Sequence, residues 1–409
     1  MHRITLILIL ALLLPDMYIY LVYIVKKTRS IMWRSIYWLP TVVLAAIYVY
    51  YIYMTGDNAL SRHPQGIGRL AVAVMLFAVP KTVFMLCSLL GILMRGISRL
   101  LSYLIFRSPF RQPRFPFVAH RLPYTLLGLV LGGICFVNIL YGAVAGITRF
   151  EVKQVEYRSD KLPEGFDGYR ILQLSDIHIG SWQGNPEAIR QLVNLTNGQK
   201  ADLIVFTGDL VNQQSHELDD FTEILSQLHA PDGVYSILGN HDYETYYRWH
   251  NPKEEAANLE RLIGQQKEMG WKMLNNTHDI LHHKGDSIAL IGVENDGEPP
   301  FSQFADLPQA MQGTEGMFRI LLSHNPTHWR REVLPDSDIE LTLSGHTHAM
   351  QMEIFGHSLA SLIYPEWSGM YYEGKRALYV NVGIGYVGLP FRFGAWPEIT
   401  VIKLVSDNE

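Results

Sequence analysis

The chain has 409 residues, 48% of them hydrophobic and 18% charged, with a formal net charge of −5. That length allows two or three domains, and that charge balance excludes a basic nucleic-acid-binding surface. Its two cysteines, Cys87 and Cys135, lie inside apolar runs, so the polar remainder has no disulfide, thiolate metal site or cysteine nucleophile.

Taken in order, the chain opens with four apolar runs, at about 4–25, 36–54, 70–94 and 123–147. Each reaches the roughly 20 residues that a bilayer helix needs. The first is too long for a cleaved signal peptide, and no small-residue cleavage site precedes Lys26 and Lys27. The loop after the first run carries Lys26, Lys27, Arg29 and Arg34, and the loop after the second carries Arg62 and Arg69. The loop after the third carries Arg95, Arg99, Arg107, Arg111, Arg114 and Arg121. The first and third loops are therefore predicted to stay in the cytoplasm. That places the N-terminus and everything after residue 148 outside, with Arg3 a weak argument the other way. The expectation is an integral protein of the plasma or inner membrane, with the lipid bilayer as its constant partner. Asp16 is about twelve residues into the first span and Lys81 about eleven into the third, so at ~1.5 Å per residue they share a depth. A lone charge there costs at least ~2.5 kcal/mol, which predicts that the two pair.

The membrane domain is assigned to residues 1–150 and a second domain to 151–409, joined by a linker over roughly 148–168. Strands are predicted at 169–174, 203–206, 234–237, 287–293, 318–322, 339–343, 377–382 and 399–405. Helices are predicted at 186–197, 217–229 and 254–269. Helices between early strands and consecutive strands later argue for an α/β fold. In such sheets ligands gather beyond the carboxyl ends of strands. Five of those ends carry polar clusters: Asp176 with His178, Gly208-Asp209, Gly239-Asn240-His241-Asp242, His324, and Gly345-His346-Thr347-His348.

Asp176, His178, Asp209, Asn240, His324, His346 and His348 are the candidate metal ligands. Carboxylate, amide oxygen and imidazole without sulfur suit manganese, iron or zinc. Seven ligands exceed one tetrahedral ion and fit two divalent ions sharing a carboxylate, for which Asp209 is the choice. Two such ions, less the charge of Asp176, Asp209 and a bridging hydroxide, leave one positive charge to hold a phosphate oxygen. His241 follows a ligand and is free to protonate a leaving oxygen, and Asp242 is expected to orient its ring.

These motifs resemble those of the calcineurin-like metallophosphoesterase family, most closely its membrane-attached bacterial YkuE-type branch. The resemblance implies a four-layer α/β/β/α sandwich over about residues 168–405 and says nothing of the apolar runs before it, which are read as an α-helical membrane domain of four transmembrane helices. It implies one ion on Asp176, His178, Asp209 and His348, and another on Asp209, Asn240, His324 and His346. It also implies hydrolysis of a phosphomonoester or phosphodiester. That branch often continues its last motif as Gly-Gly-Gln, where this chain has Ala349-Met350-Gln351. Arg392, in a tail that also resembles the branch, is a candidate for binding substrate phosphate. Two inserts, Tyr243 to Trp249 and Phe355 to Tyr372, are rich in aromatic and apolar residues. Beside a membrane they suggest a lipid-linked substrate. The alternative is a non-enzymatic or regulatory membrane protein that uses the metal domain to bind a ligand.

Overall fold

The structure is a computed structural model, and it describes residues 2–55, 63–106, 122–243 and 246–407. The chain divides into two compact units, Met1–Val144 and Ala145–Glu409.

The first unit is helical. Helix α1 (His2–Ile19) continues as a wider turn through Ile24 and is followed by α2 (Ile31–Thr55), α3 (Pro64–Phe106) and α4 (Leu122–Val144). Among the described residues, segments 31–51, 65–105 and 122–148 are long and apolar enough to cross a bilayer. Asp16 is fully buried, and Lys81 Nζ lies 2.6 Å from its Oδ1. The Tyr37 hydroxyl donates to Asp16 Oδ1 at 3.0 Å, and Thr41 donates to Oδ2. The predicted ion pair is thus present and shared among α1, α2 and α3. Arg62, Arg107, Arg111, Arg114 and Arg121 of the topology argument lie outside the described residues, as do Glu244 and Thr245 of the first insert.

The second unit holds two six-stranded sheets. One has the order β1-β12-β2-β3-β4-β5, from β1 (Glu151–Ser159), β2 (Arg170–Leu174), β3 (Leu203–Phe206), β4 (Val234–Ser236), β5 (Lys272–Met273) and β12 (Glu398–Ser406). The other has the order β10-β11-β9-β8-β7-β6, from β6 (Thr277–His283), β7 (Asp286–Gly292), β8 (Arg319–Leu322), β9 (Leu341–Ser344), β10 (Gly369–Glu373) and β11 (Arg376–Val380). Ile171, Leu203, Val205, Ile320, Leu322, Leu341 and Leu343 interleave between the sheets.

Helix α5 (Pro186–Gly198) covers the outer face of the first sheet through Ile189, Leu192 and Val193. Asn185 caps its start by accepting from the Ala188 amide, with Pro186 in the first turn. Helix α6 (Pro252–Glu268) adds Leu262 to the same face. Leu307, Ala310, Trp329 and Val333 cover the outer face of the second sheet. The result is the four-layer α/β/β/α sandwich.

Two expectations need correction. Residues 151–159, read as linker, form β1, paired in parallel with β12 at the sheet edge. Glu151, Glu156 and Arg158 are exposed and Lys153 reaches the buried Glu398 carboxylate at 2.5 Å, so charges fall on both faces of this edge strand, which disguised it. The helix expected at 217–229 is broken into a 3-10 turn, Ser215–Leu218, and a short helix, Thr222–Leu225. Glu217 caps the 3-10 turn, its carboxylate accepting from the Asn212, Gln213 and Gln214 amides.

Candidate metal centre

Strands β2, β3 and β4 are parallel to one another, as are β8 and β9. Their carboxyl ends therefore deliver Asp176, Asp209, Asn240, His324 and His346 to one edge of the sandwich. The backbone there is bent sharply. Asp176, His178, Asp209, His346 and His348 all have φ between +45° and +74°, a region that non-glycine residues rarely occupy. Strain concentrated on five side chains of one cluster marks a site the fold holds open against its own preference. Gly208, at φ +95°, lets the β3 turn pass: a Cβ there would lie 2.6 Å from the Gly239 amide nitrogen.

Asp209 sits at the centre. Its Oδ2 lies 3.5 Å from His178 Nε2 on one side and 3.3 Å from His324 Nε2 on the other. Its Oδ1 accepts the His241 amide at 2.8 Å. On the first side, His178 Nε2 and His348 Nε2 face each other at 3.0 Å, and His348 Nε2 is 3.3 Å from Asp176 Oδ1. On the second, Asn240 Oδ1 lies 2.8 Å from His346 Nδ1 and 3.2 Å from His324 Nε2. His324 is fixed from behind, its Nδ1 2.8 Å from the Thr207 carbonyl.

Imidazole nitrogens aimed at each other and at carboxylates, all buried but for the part-exposed His346, leave lone pairs converging on two points that flank Asp209. The donor set fits divalent cations at those points. Burial pushes His178 and His346 down to about 3 and Asp176 up to about 6. Burial opposes charge on Asp209 too, yet His324 and His241 hold it well below the usual carboxylate range. His324 is raised to about 10, against its burial, by Asp209. A cation held by these residues would displace that proton. Neutral imidazoles around a charged central carboxylate are the forms that bind metal.

His241 stands beside this cluster, half-buried. Its Nδ1 is 2.7 Å from the Asn212 carbonyl, and its ring stacks on Tyr246 at 4.1 Å. Nδ1 therefore carries the proton toward the carbonyl, leaving Nε2 as the working nitrogen. His178, Asp209 and His241 also lie close enough to form a ligand set of their own, so its role turns on metal content.

The structure corrects the expectation for Asp242. It does not meet the His241 ring. Its buried carboxylate accepts backbone amides of Asp209, Leu210 and Gly239 at 2.8–2.9 Å, tying the β3 turn to the β4 turn. The expectation for Arg392 is corrected too. It is wholly buried. Its donors go to the carbonyls of Gly385, Val382 and Ala395 and to His348 Nδ1, which engages all five N–H groups and leaves none for substrate. It supports a ligand from behind.

Four residues escaped the sequence reading. The Asn212 carbonyl orients His241. Glu217 fixes the loop that presents that carbonyl. The Tyr364 hydroxyl meets His346 Nε2 at 3.0 Å, and Phe301 packs edge-on to the same ring at 4.6 Å. Only Tyr364 left a signal, its place within the aromatic insert. The chain's Ala349 and Met350, standing where the resembled branch has glycines, adopt φ of +48° and +47°. The glycine-like path of that loop is kept in spite of the side chains.

Residues 169–350 match the family described as calcineurin-like phosphoesterase, and residues 2–147 match one described as probable calcineurin-like phosphoesterase, transmembrane domain. A Danio rerio transmembrane protein with metallophosphoesterase domain is 33% identical over 290 residues, which is 68% of this chain and 62% of that one. The chain thus spans somewhat less than two thirds of that relative. The Bacillus subtilis metallophosphoesterase YkuE is 30% identical over 301 residues, 69% of this chain and 96% of its own. A Helicobacter pylori metallophosphoesterase is 29% identical over 271 residues, 66% of this chain and 67% of its own.

Proposed function

The chain belongs to the calcineurin-like metallophosphoesterase family, and from that premise we propose that it is a membrane-anchored hydrolase of phosphomonoesters or phosphodiesters. The observation that carries the reading is the convergence of six donor residues on Asp209, with His241 held beside them by the Asn212 carbonyl. Asp176, His178, Asp209 and His348 would hold one divalent ion, and Asp209, Asn240, His324 and His346 the other. Manganese, iron and zinc all suit these donors. Bound ions supply charge stabilisation at the phosphoryl oxygens and activation of water.

The chain's own residues do the rest. Asn212 holds the His241 Nδ1 proton, so Nε2 is the nitrogen that takes up a proton from solvent, as imidazolium, and passes it to the leaving oxygen. Phe301, Tyr246 and Tyr364 make an aromatic rim that favours a substrate with an apolar body. Taken with the membrane helices, this supports a lipid-linked phosphoester. The Lys and Arg count of the loops supports a catalytic unit outside the cytoplasm. An active C-terminal alkaline phosphatase fusion with a dark C-terminal green fluorescent fusion is the expected topology result, and the reverse pattern refutes it.

The test is the purified full chain with manganese, offered monoester, diester and phospholipid-phosphate panels. Hydrolysis with preference for lipid phosphates is expected. Preference for soluble nucleotides over every lipid phosphate removes the lipid-linked reading. Inertness with every metal and ester leaves the binding-protein alternative.

A further inference from the structure

Among the described residues of the second unit, ten large apolar side chains are exposed, and six of them fall between 350 and 363. They are Met350, Ile354, Phe355, Leu359, Leu362 and Ile363, so the apolar surface is one patch and not a scatter. Phe355 is 98% exposed and Leu362 80%. The twelve residues 354–365 contain no Asp, Glu, Lys or Arg.

The shape of the patch is defined. Ile354 and His357 exchange backbone hydrogen bonds of 2.9 and 3.1 Å, closing a two-residue hairpin whose tip is Phe355-Gly356. Phe355 has φ +52° and Gly356 φ +76°. A turn with positive φ at both central residues selects Asn, Asp or Gly at the first position. A phenylalanine there strains the backbone and exposes its ring almost fully, and no contact among the described residues offsets either cost. The 3-10 turn Leu359–Leu362 follows, with Ala360 facing inward and both leucines outward.

The base of this element is fastened. Ser358 donates to the Ala349 carbonyl, Thr347 donates to the Trp367 carbonyl at 2.6 Å, and Tyr364 meets the His346 ring. The apolar tip is thus carried by a fixed base, and that base rests on the loop bearing His346 and His348.

We infer that residues 354–363 are an interfacial wedge that inserts into the lipid bilayer. The occupant follows from the chain itself. Its membrane helices guarantee a bilayer, and only the residues between Val144 and Glu151 separate α4 from β1. An uncharged segment enters the headgroup region without desolvating a charge, and buried Phe and Leu are what hold such elements there. The absence of Lys and Arg predicts equal insertion into neutral and anionic lipid. This inference rests on the membrane-anchored reading and deepens the lipid-linked one, because it would bring the metal centre to the lipid surface.

The test uses the full chain with Cys87→Ser and Cys135→Ser, carrying Phe355→Cys labelled with an environment-sensitive fluorophore, in phosphatidylcholine nanodiscs. Leu362→Cys serves as a second site should the first variant fold poorly, and Lys375→Cys, on an exposed turn, as the aqueous control. Blue-shifted emission, quenched by doxyl-labelled lipid and protected from iodide, is expected at 355 and 362. Iodide access equal to that of the control overturns the inference. Protection from both quenchers shows a protein partner or a second copy on the patch and overturns it equally. A chain inert toward every phosphoester but labelled deep in lipid would sink the phosphoesterase reading and leave the wedge standing.

Discussion

His241→Ala separates the metal centre from the chemistry beside it. The substitution keeps the backbone amide that donates to Asp209 Oδ1 at 2.8 Å, so the central carboxylate stays in place. It removes the Nδ1 bond to the Asn212 carbonyl and the stack on Tyr246. One hydrogen bond of about 1 kcal/mol and one aromatic pair of about 0.5–1.5 kcal/mol predict a stability loss of roughly 1.5–2.5 kcal/mol. The fold survives that. The rate should suffer far more, because a positioned acid contributes ~10²–10⁴-fold, or about 2.7–5.4 kcal/mol of barrier. The assay is kcat for a series of esters from alkyl to nitrophenyl, with metal content measured on the same samples. The loss should be largest for alkyl leaving groups and shrink for nitrophenolate, which needs little protonation. Loss of a metal would show that His241 is a ligand. Full activity on an alkyl ester would remove the leaving-group role.

Other predictions address the supports. Arg392→Met strands the buried carbonyls of Val382, Gly385 and Ala395, at ~1–3 kcal/mol for each group left unpaired; the melting temperature should fall steeply. A raised KM with unchanged melting would instead return Arg392 to the substrate. Met350→Gly relieves a left-handed backbone that costs a non-glycine residue ~1–2 kcal/mol, so stability should rise by up to ~1 kcal/mol after the entropy of the freer unfolded chain. A lower melting temperature would show that the Met350 side chain matters more than its backbone. In the membrane unit, Lys81→Met leaves Asp16 charged and buried, and should destabilise more than the double variant with Asp16→Asn. Thermal melts in one detergent decide this, and equal losses would refute the pair's coupling.

The metal cluster was legible because each donor follows a short apolar strand, and strand ends are where α/β sheets gather ligands. The Asp16–Lys81 pair was legible because helix rise converts residue count into depth. Strand β1 was not, since its alternating charges mimic a solvated linker. Asp242 and Arg392 were misread for a different reason. Sequence gives their proximity to a motif, but whether a charged group faces the open site or the backbone behind it is decided by tertiary hydrogen bonds. Asn212 acts through its carbonyl, which every residue has, so its side chain carries no signal. The exposure of Phe355 was likewise invisible, because an aromatic in a loop reads equally well as packed or projecting.

The central claim is that Asp209 joins two metal sites, and metal content of the active full chain tests it most directly. The account predicts two divalent ions per chain in the wild type. It predicts loss of both with activity in Asp209→Asn and loss of mainly one in His178→Ala. A fully active wild-type chain holding a single ion would contradict it.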